Sequence, residues 1–331
     1  MSKNKINWLL ILQAWAILWV IIGHSPLEIP ISNFAPCYVK VLFNIAYSFH
    51  MPLFIFVSGY LFYLTRIQRP MAYFDMIKDK MVRLGIPFIA FTVLAMSLKS
   101  FWGGDVSRES EISIREFINA FLFPYEGPLQ ELWFLAVIMW LFLLRPIWVK
   151  ILQSKGLIVA CGLITLAFAI TKPQIYNEFL CFSSMLKYSF YFFVGMVICK
   201  WSIVEKCNAY KKNILLLSVS LYILFAFLQG MPRGVHFALL GIALSIMLAL
   251  YFDWLVPNLF SHFRNYTYQI YLMGIFAQFG CKILTHNFFV SYSLGFIACI
   301  LVGIYIPVMI CKIIEKLNWK PLLLCVGLKG T

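Results

Sequence analysis

Ten apolar stretches of about bilayer length follow one another along this 331-residue chain, and nothing else in it constrains the fold as tightly. A hydrocarbon core of about 30 Å is crossed by roughly 20 helical residues. Backbone polar groups in lipid must be satisfied within the spanning element, which leaves helices or a closed barrel. The stretches are too long and too continuously apolar for barrel strands. They run Trp8–His24, Val41–Thr65, Leu84–Trp102, Leu129–Pro146, Gly156–Thr171, Ser184–Cys199, Asn213–Gln229, Val235–Trp254, Thr267–Leu284 and Phe288–Cys311. The expected fold class is an all-α polytopic membrane protein, a bundle of about ten transmembrane helices.

Composition agrees. Hydrophobic residues make up 62% of the chain and charged residues 12%, about half the charged fraction of a soluble domain. Too little polar surface remains to face water, so membrane lipid must cover the rest. The net charge is +14, from 27 Lys and Arg against 13 Asp and Glu. The cations sit in short loops between apolar runs, with no basic-aromatic face for nucleic acid, and this pattern is a topological signal. With the N-terminus inside, 19 of the 27 fall in cytoplasmic segments and 8 elsewhere, which predicts both termini in the cytoplasm (N-in/C-in).

The N-terminal Lys3 and Lys5 precede an apolar run, Ile6 to Gly23, that is too long for a signal peptide and lacks a small-residue cleavage site. It reads as a retained first helix. The longest outer segment, Lys99 to Pro128, carries Asp105, Glu109, Glu111, Glu116 and Glu126 and is expected to form a small cap. With no repeat, linker or long tail, residues 1–331 read as a single integral membrane domain with no appended soluble module. The nine cysteines form no CxxC pair, so neither a disulfide framework nor a metal site is expected.

Polar residues inside the apolar stretches are functional suspects because leaving them unsatisfied in lipid is costly. Gln13 and His24 are 11 residues apart, about 20° beyond three full helical turns, so both project from one face, about 16 Å apart along the axis. That makes a polar track along the first helix. His50 lies about 24 Å along its own helix from Arg66, near the depth of His24. Pro52 follows two residues later and must open the local backbone hydrogen bonding. Histidine titrates near neutrality and suits general acid-base chemistry. No Gly-x-Ser-x-Gly elbow is present and no Ser or Cys pairs with these histidines in sequence, which disfavours a covalent intermediate. Lys80 and Arg83 lie three apart at a helix start in the densest basic segment, Arg66 to Arg83. Two cations on neighbouring positions of one face suit phosphate binding, and equally suit orienting the chain.

Taken in order, these features resemble acyltransferase family 3, a family of membrane-bound acyltransferases. The likeness rests on Gly23-His24-Ser25, on Phe49-His50-Met51-Pro52-Leu53-Phe54 running into Ser58-Gly59-Tyr60, and on Lys80-Met81-Val82-Arg83-Leu84 with Ile86-Pro87. It continues with Leu132-Trp133-Phe134-Leu135, Phe192-Phe193-Val194-Gly195, and Asn265-Tyr266-Thr267 through Ile270-Tyr271-Leu272. The resemblance implies transfer of an acyl group, usually acetyl from acetyl-CoA, to a hydroxyl of a cell-surface polysaccharide or its lipid-linked precursor. It implies a multi-pass protein of the bacterial inner membrane, working beside polysaccharide-assembly proteins. His24 is the implied catalytic residue, with His50 assisting. Lys80 and Arg83 are implied to hold the CoA donor, whose acyl group threads toward His24, and Gln13 takes the position of a family cation on the donor side. Three positions depart from the family pattern: Gln13 stands for Arg or Lys, Lys80 for Arg, and Met273-Gly274 for a segment that often carries His. Lys80 lacks the planar fork of Arg and so the bidentate phosphate geometry. A transporter exporting a glycan or small anion is the rival reading, and a noncatalytic scaffold of an assembly complex is the third.

Overall fold

In the computed structural model each of the ten predicted stretches contains helix, although the fourth is broken after Leu143 and the helix of the tenth begins only at Tyr292. The structure describes residues 4–28, 31, 35–69, 71–102, 113–174, 178–288 and 290–328. Lys3, Lys329 and the acidic Asp105, Glu109 and Glu111 of the expected cap lie outside the described residues. The helices are α1 (Asn4–His24), α2 (Cys37–Phe62), α3 (Tyr73–Lys80), α4 (Ile86–Trp102), α5 (Ile114–Leu122), α6 (Trp133–Leu143), α7 (Arg145–Ile151) and α8 (Lys155–Thr171). They continue as α9 (Phe182–Lys200), α10 (Ile203–Cys207), α11 (Lys211–Gln229), α12 (Val235–Leu255), α13 (Thr267–Asn287), α14 (Tyr292–Leu317) and α15 (Lys320–Cys325).

Among the described residues, seven helical stretches are long and apolar enough to cross a membrane. The pair Gln130–Leu143 and Arg145–Ile151, bent by 55°, makes an eighth if it is counted as a single broken span. The bend has a local cause: Pro146 sits in the first turn of α7, where its ring and missing N–H prevent continuation of α6. Trp148 Nε1 donates to the Leu141 carbonyl across 2.8 Å and bridges the break. α8 is shorter, at 17 residues. α13 has the length, at 21 residues, but carries Gln269, Gln278, Lys282 and His286. Both occupy predicted spans, and α13 departs from the others by its polarity.

The chain divides into two compact units. The first comprises Met1–Val57 and Trp201–Leu317, the second Ser58–Lys200 and Asn318–Thr331. In the first unit α13 packs along α14, α11 along α12, and α1 against α12, α13 and α14. The packing around α1 explains why its residues are apolar on nearly every side. Ala14, Ile17, Val20 and Ile21 meet Ile270 of α13 and Ile304 and Val308 of α14 in one buried cluster.

In the second unit α9 packs against α8 and α6. Its core is aromatic: the Phe62 ring stacks on Phe142 at 5.1 Å and lies 5.3 Å from Phe192. Gly59 permits this packing. A Cβ on Gly59 would run into the carbonyl of Phe192, so the Ser58-Gly59-Tyr60 and Phe192-Phe193-Val194-Gly195 segments meet at backbone contact. The described part of the expected cap is α5, opened by Ser113, whose hydroxyl accepts the Glu116 N–H at 3.1 Å as a helix N-cap. Ile114, Ile118 and Phe121 of α5 are exposed, an apolar face suited to the membrane interface.

Candidate functional site

His24 is the last residue of α1, and it is half-buried. The residues beside it have separate tasks. Gly23 leaves room for the Tyr47 ring, whose Cε2 would lie 3.3 Å from a Cβ at that position. Ser25, fully buried, donates to the Ile21 carbonyl at 2.7 Å and accepts from Gln278 Nε2 at 2.8 Å. Gln278 Nε2 also donates to the Ile21 carbonyl at 2.9 Å. Lys282, one turn further along α13, donates from Nζ to the His24 carbonyl at 2.9 Å. The terminal carbonyls of a helix have no partner within it. Here α13 supplies partners for two of them and holds the end of α1.

Tyr47 connects the two histidines. Its ring lies 6.2 Å from that of His24 and 5.0 Å from that of His50, nearly perpendicular to the latter at 77°. His50 is buried, and its Nδ1 is 2.6 Å from the Ala46 carbonyl. A carbonyl only accepts, so Nδ1 carries the proton, and Nε2 of the neutral ring is left with its lone pair. On the same helix Ser48 pairs with the Tyr222 hydroxyl at 2.8 Å, and Phe49 packs edge-on against Trp19 at 5.3 Å. Pro52 lies inside α2, within one turn of His50. Tyr47 of α2 thus lies beside both histidines, the one on α1 and the one on its own helix. Gln13, half-buried on α1, lies about three turns from His24, outside this cluster.

The basic segment belongs to the second unit. Lys80 ends α3, and the next five residues, Met81–Gly85, form a π-helical turn. Lys80 therefore closes one helix and Arg83 lies in the wider turn that follows, still close enough for each charge to act on the other. Lys80 is half-buried with Nζ 4.3 Å above the Phe142 ring, whereas Arg83 is exposed. A third cation stands nearby in the same unit. Arg66 is paired with Asp79 at 2.6 Å, and its backbone carbonyl accepts from Arg145 Nε at 3.1 Å.

Four residues of these two regions went unmarked by sequence reasoning. Tyr47 carries no signal, because an aromatic among the apolar residues of a span is ordinary in a membrane protein. Asp79 and Arg145 join the basic segment only through tertiary contacts. Lys282 did carry one: a cation inside the predicted span Thr267–Leu284 is a functional suspect by default.

Neither a curated protein nor a solved structure matches the chain. A family model described as an acyltransferase domain matches residues 6–312, from the start of α1 into the last third of α14. The matched range takes in His24, Tyr47, His50, Lys80, Arg83 and Lys282, and it covers nearly the whole of a chain whose described residues form helices and no strands, many of the helices of bilayer length and apolar; the chain belongs to acyltransferase family 3.

Proposed function

We propose that this membrane acyltransferase is an acyl-CoA-dependent O-acetyltransferase. It moves acetyl from acetyl-CoA to a hydroxyl of a cell-surface polysaccharide or its lipid-linked precursor at a bacterial inner membrane. The observation that carries the reading is the grouping of His24, Tyr47 and His50 within a chain that belongs to an acyltransferase family. In this reading His24 takes the proton of the acceptor hydroxyl. The oxygen attacks the thioester carbonyl carbon, the C–S bond breaks, and the CoA thiolate leaves with the proton returned by the imidazolium. His50, locked in one tautomer by Ala46, presents Nε2 as an acceptor that orients the hydroxyl or assists His24.

The donor is held at the basic segment of the second unit, where Lys80 and Arg83 supply positive charge for its phosphates, supported by Arg66. In this reading both termini and the basic segment face the cytoplasm, where CoA is found, and the charge of the segment supports that orientation. The test is mass spectrometry of surface glycans from cells with and without the chain. The expected result is one acetyl unit on a repeating sugar, present only with the chain. Glycans identical in both, with export impaired, would transfer the case to the transporter reading.

A further inference from the structure

One cluster of polar and aromatic side chains in the second unit takes no part in the proposed donor site. It lies where α6 and α9 begin. Trp133, the first residue of α6, is stacked between two tyrosines: Tyr125 at 5.6 Å and 13°, and Tyr188 at 5.1 Å and 29°. The Tyr125 hydroxyl is 3.0 Å from Ser184 Oγ, and Ser184 Oγ is 3.5 Å from Glu178 Oε2. Lys187 places its Nζ 4.7 Å from the Tyr188 ring centre. Apart from the buried Ser184, all of these side chains are half-buried.

Two further observations set the cluster apart from ordinary helix packing. Leu180 and Cys181, in the single turn between Glu178 and α9, have φ of 48° and 58°. Side chains rarely adopt this left-handed conformation, and such strain gathers where a fold holds a functional geometry. Here it brings Glu178 back to Ser184. Burial pushes the Glu178 carboxyl above its ordinary range, opposed by the Ser184 hydrogen bond and the Lys187 charge.

We infer that Tyr125, Trp133, Glu178, Ser184, Lys187 and Tyr188 form a sugar-binding subsite for the glycan acceptor. The ligand class follows from the chemistry of the cluster. A pyranose has an apolar C–H face that packs on aromatic rings and a rim of hydroxyls, each able to donate and to accept. The end rings of the stack, the half-buried Tyr125 and Tyr188, provide the flat apolar surface, Glu178 accepts, Lys187 donates, and the Tyr125 and Ser184 hydroxyls do either. A carboxylate repels the phosphates of CoA, so the cluster is a poor second donor site. The inference rests on the proposed function for the identity of the sugar as acceptor, although sugar binding itself is measured separately.

The probe is surface polysaccharide from cells lacking the chain, stripped of O-acyl groups by mild alkali, titrated onto the full-length protein in lipid nanodiscs. Wild type is expected to bind it. The isosteric Glu178→Gln and the truncating Tyr188→Ala are each expected to weaken binding by about tenfold, with acetyl-CoA binding unchanged as the check on folding. A mutation-free arm follows carbodiimide labelling of Glu178 by peptide mass spectrometry, and saturating polysaccharide is expected to protect it. Wild-type affinity in both variants, no protection of Glu178, protection by acetyl-CoA in its place, or no polysaccharide binding by wild type would each overturn the subsite. Binding and protection without acetyl transfer would leave the subsite standing and end the acetyltransferase reading.

Discussion

Lys282 Nζ caps the carbonyl of His24 at 2.9 Å, joining α13 to the last residue of α1. An ammonium at a helix C-terminus is favoured by the unpaired carbonyls and by the helix dipole. Its position at the residue that also carries the candidate base gives it a second consequence. The backbone that sets the direction of the His24 side chain is fixed from another helix. Gln278, four residues earlier on α13, fixes the preceding turn through Ile21 and Ser25.

Lys282→Met is therefore expected to lower kcat by about tenfold to a hundredfold, since small misplacements of a reacting group are costly. KM for acetyl-CoA should change little. Lys282→Arg retains a donor and a charge and should recover most of the loss. Steady-state kinetics with radiolabelled acetyl-CoA and stripped polysaccharide measure both variants. Equal kcat in Lys282→Met and wild type would remove Lys282 from any positioning role.

The basic segment makes a different prediction, because Lys80 and Arg83 sit in unlike environments. Charge-assisted contacts to phosphate are worth about 1.5–3 kcal/mol each, so Arg83→Ala should raise KM for acetyl-CoA by more than tenfold and leave kcat nearly intact. Lys80→Ala loses the same kind of contact and also its seat over Phe142, so thermal stability should fall as well. Donor titrations and thermal unfolding in detergent separate the two effects. A donor KM equal to wild type in both variants would leave the segment a purely topological one.

Much of this arrangement is legible in the sequence, and the limits have physical causes. Apolar length locates helices well, because lipid forbids unsatisfied backbone, and each predicted stretch holds one. His24 and His50 stand out as polar residues in apolar runs, and Ser58-Gly59-Tyr60 and Phe192-Phe193-Val194-Gly195 as ordered motifs. Their meeting at the Gly59 backbone does not, since it depends on which helices pack together. The bend after Leu143 is foreshadowed by Pro146, but the π-helical turn at Met81–Gly85 has no pattern of its own. The division into two units is invisible because no polar or Gly/Pro-rich linker marks it; one of its three boundaries falls inside the continuous helix α2, and the others follow α9 and α14. α13, read correctly as a helix, keeps its polar residues for a reason only the fold supplies: its Gln269 and Gln278 are buried within the protein.

Gly59→Ala tests the close approach of α2 and α9. A methyl group there must displace the Phe192 backbone, and overpacking of this kind costs about 1–3 kcal/mol. The expected result is a lower unfolding temperature and less protein in the membrane, with activity per molecule largely retained. Immunoblots of membrane fractions and thermal unfolding in detergent provide the measurement. Unchanged stability would mean that the two backbones are further apart than described.

The histidines carry the sharpest expectation. Loss of a general base typically lowers the rate by about 10²–10⁴-fold, so His24→Ala should nearly abolish acetyl transfer while membrane levels stay normal. His50 is bound to Ala46 through Nδ1 and offers only Nε2, and in the proposed mechanism it orients or assists. His50→Ala should therefore lower the rate less than His24→Ala. His50→Asn adds a finer discrimination, because its amide can still donate to the Ala46 carbonyl but cannot act as a base. Partial recovery in His50→Asn would assign His50 to positioning, and activity equal to His50→Ala would assign it to proton transfer. Tyr47→Phe keeps the ring that connects the two histidines and should retain most activity, whereas Tyr47→Ala removes it and should approach the His50→Ala level. Acetyl content of surface glycans, normalised to membrane protein, reads out all five variants. Normal acetylation in His24→Ala cells would refute the mechanism outright, whatever the others show.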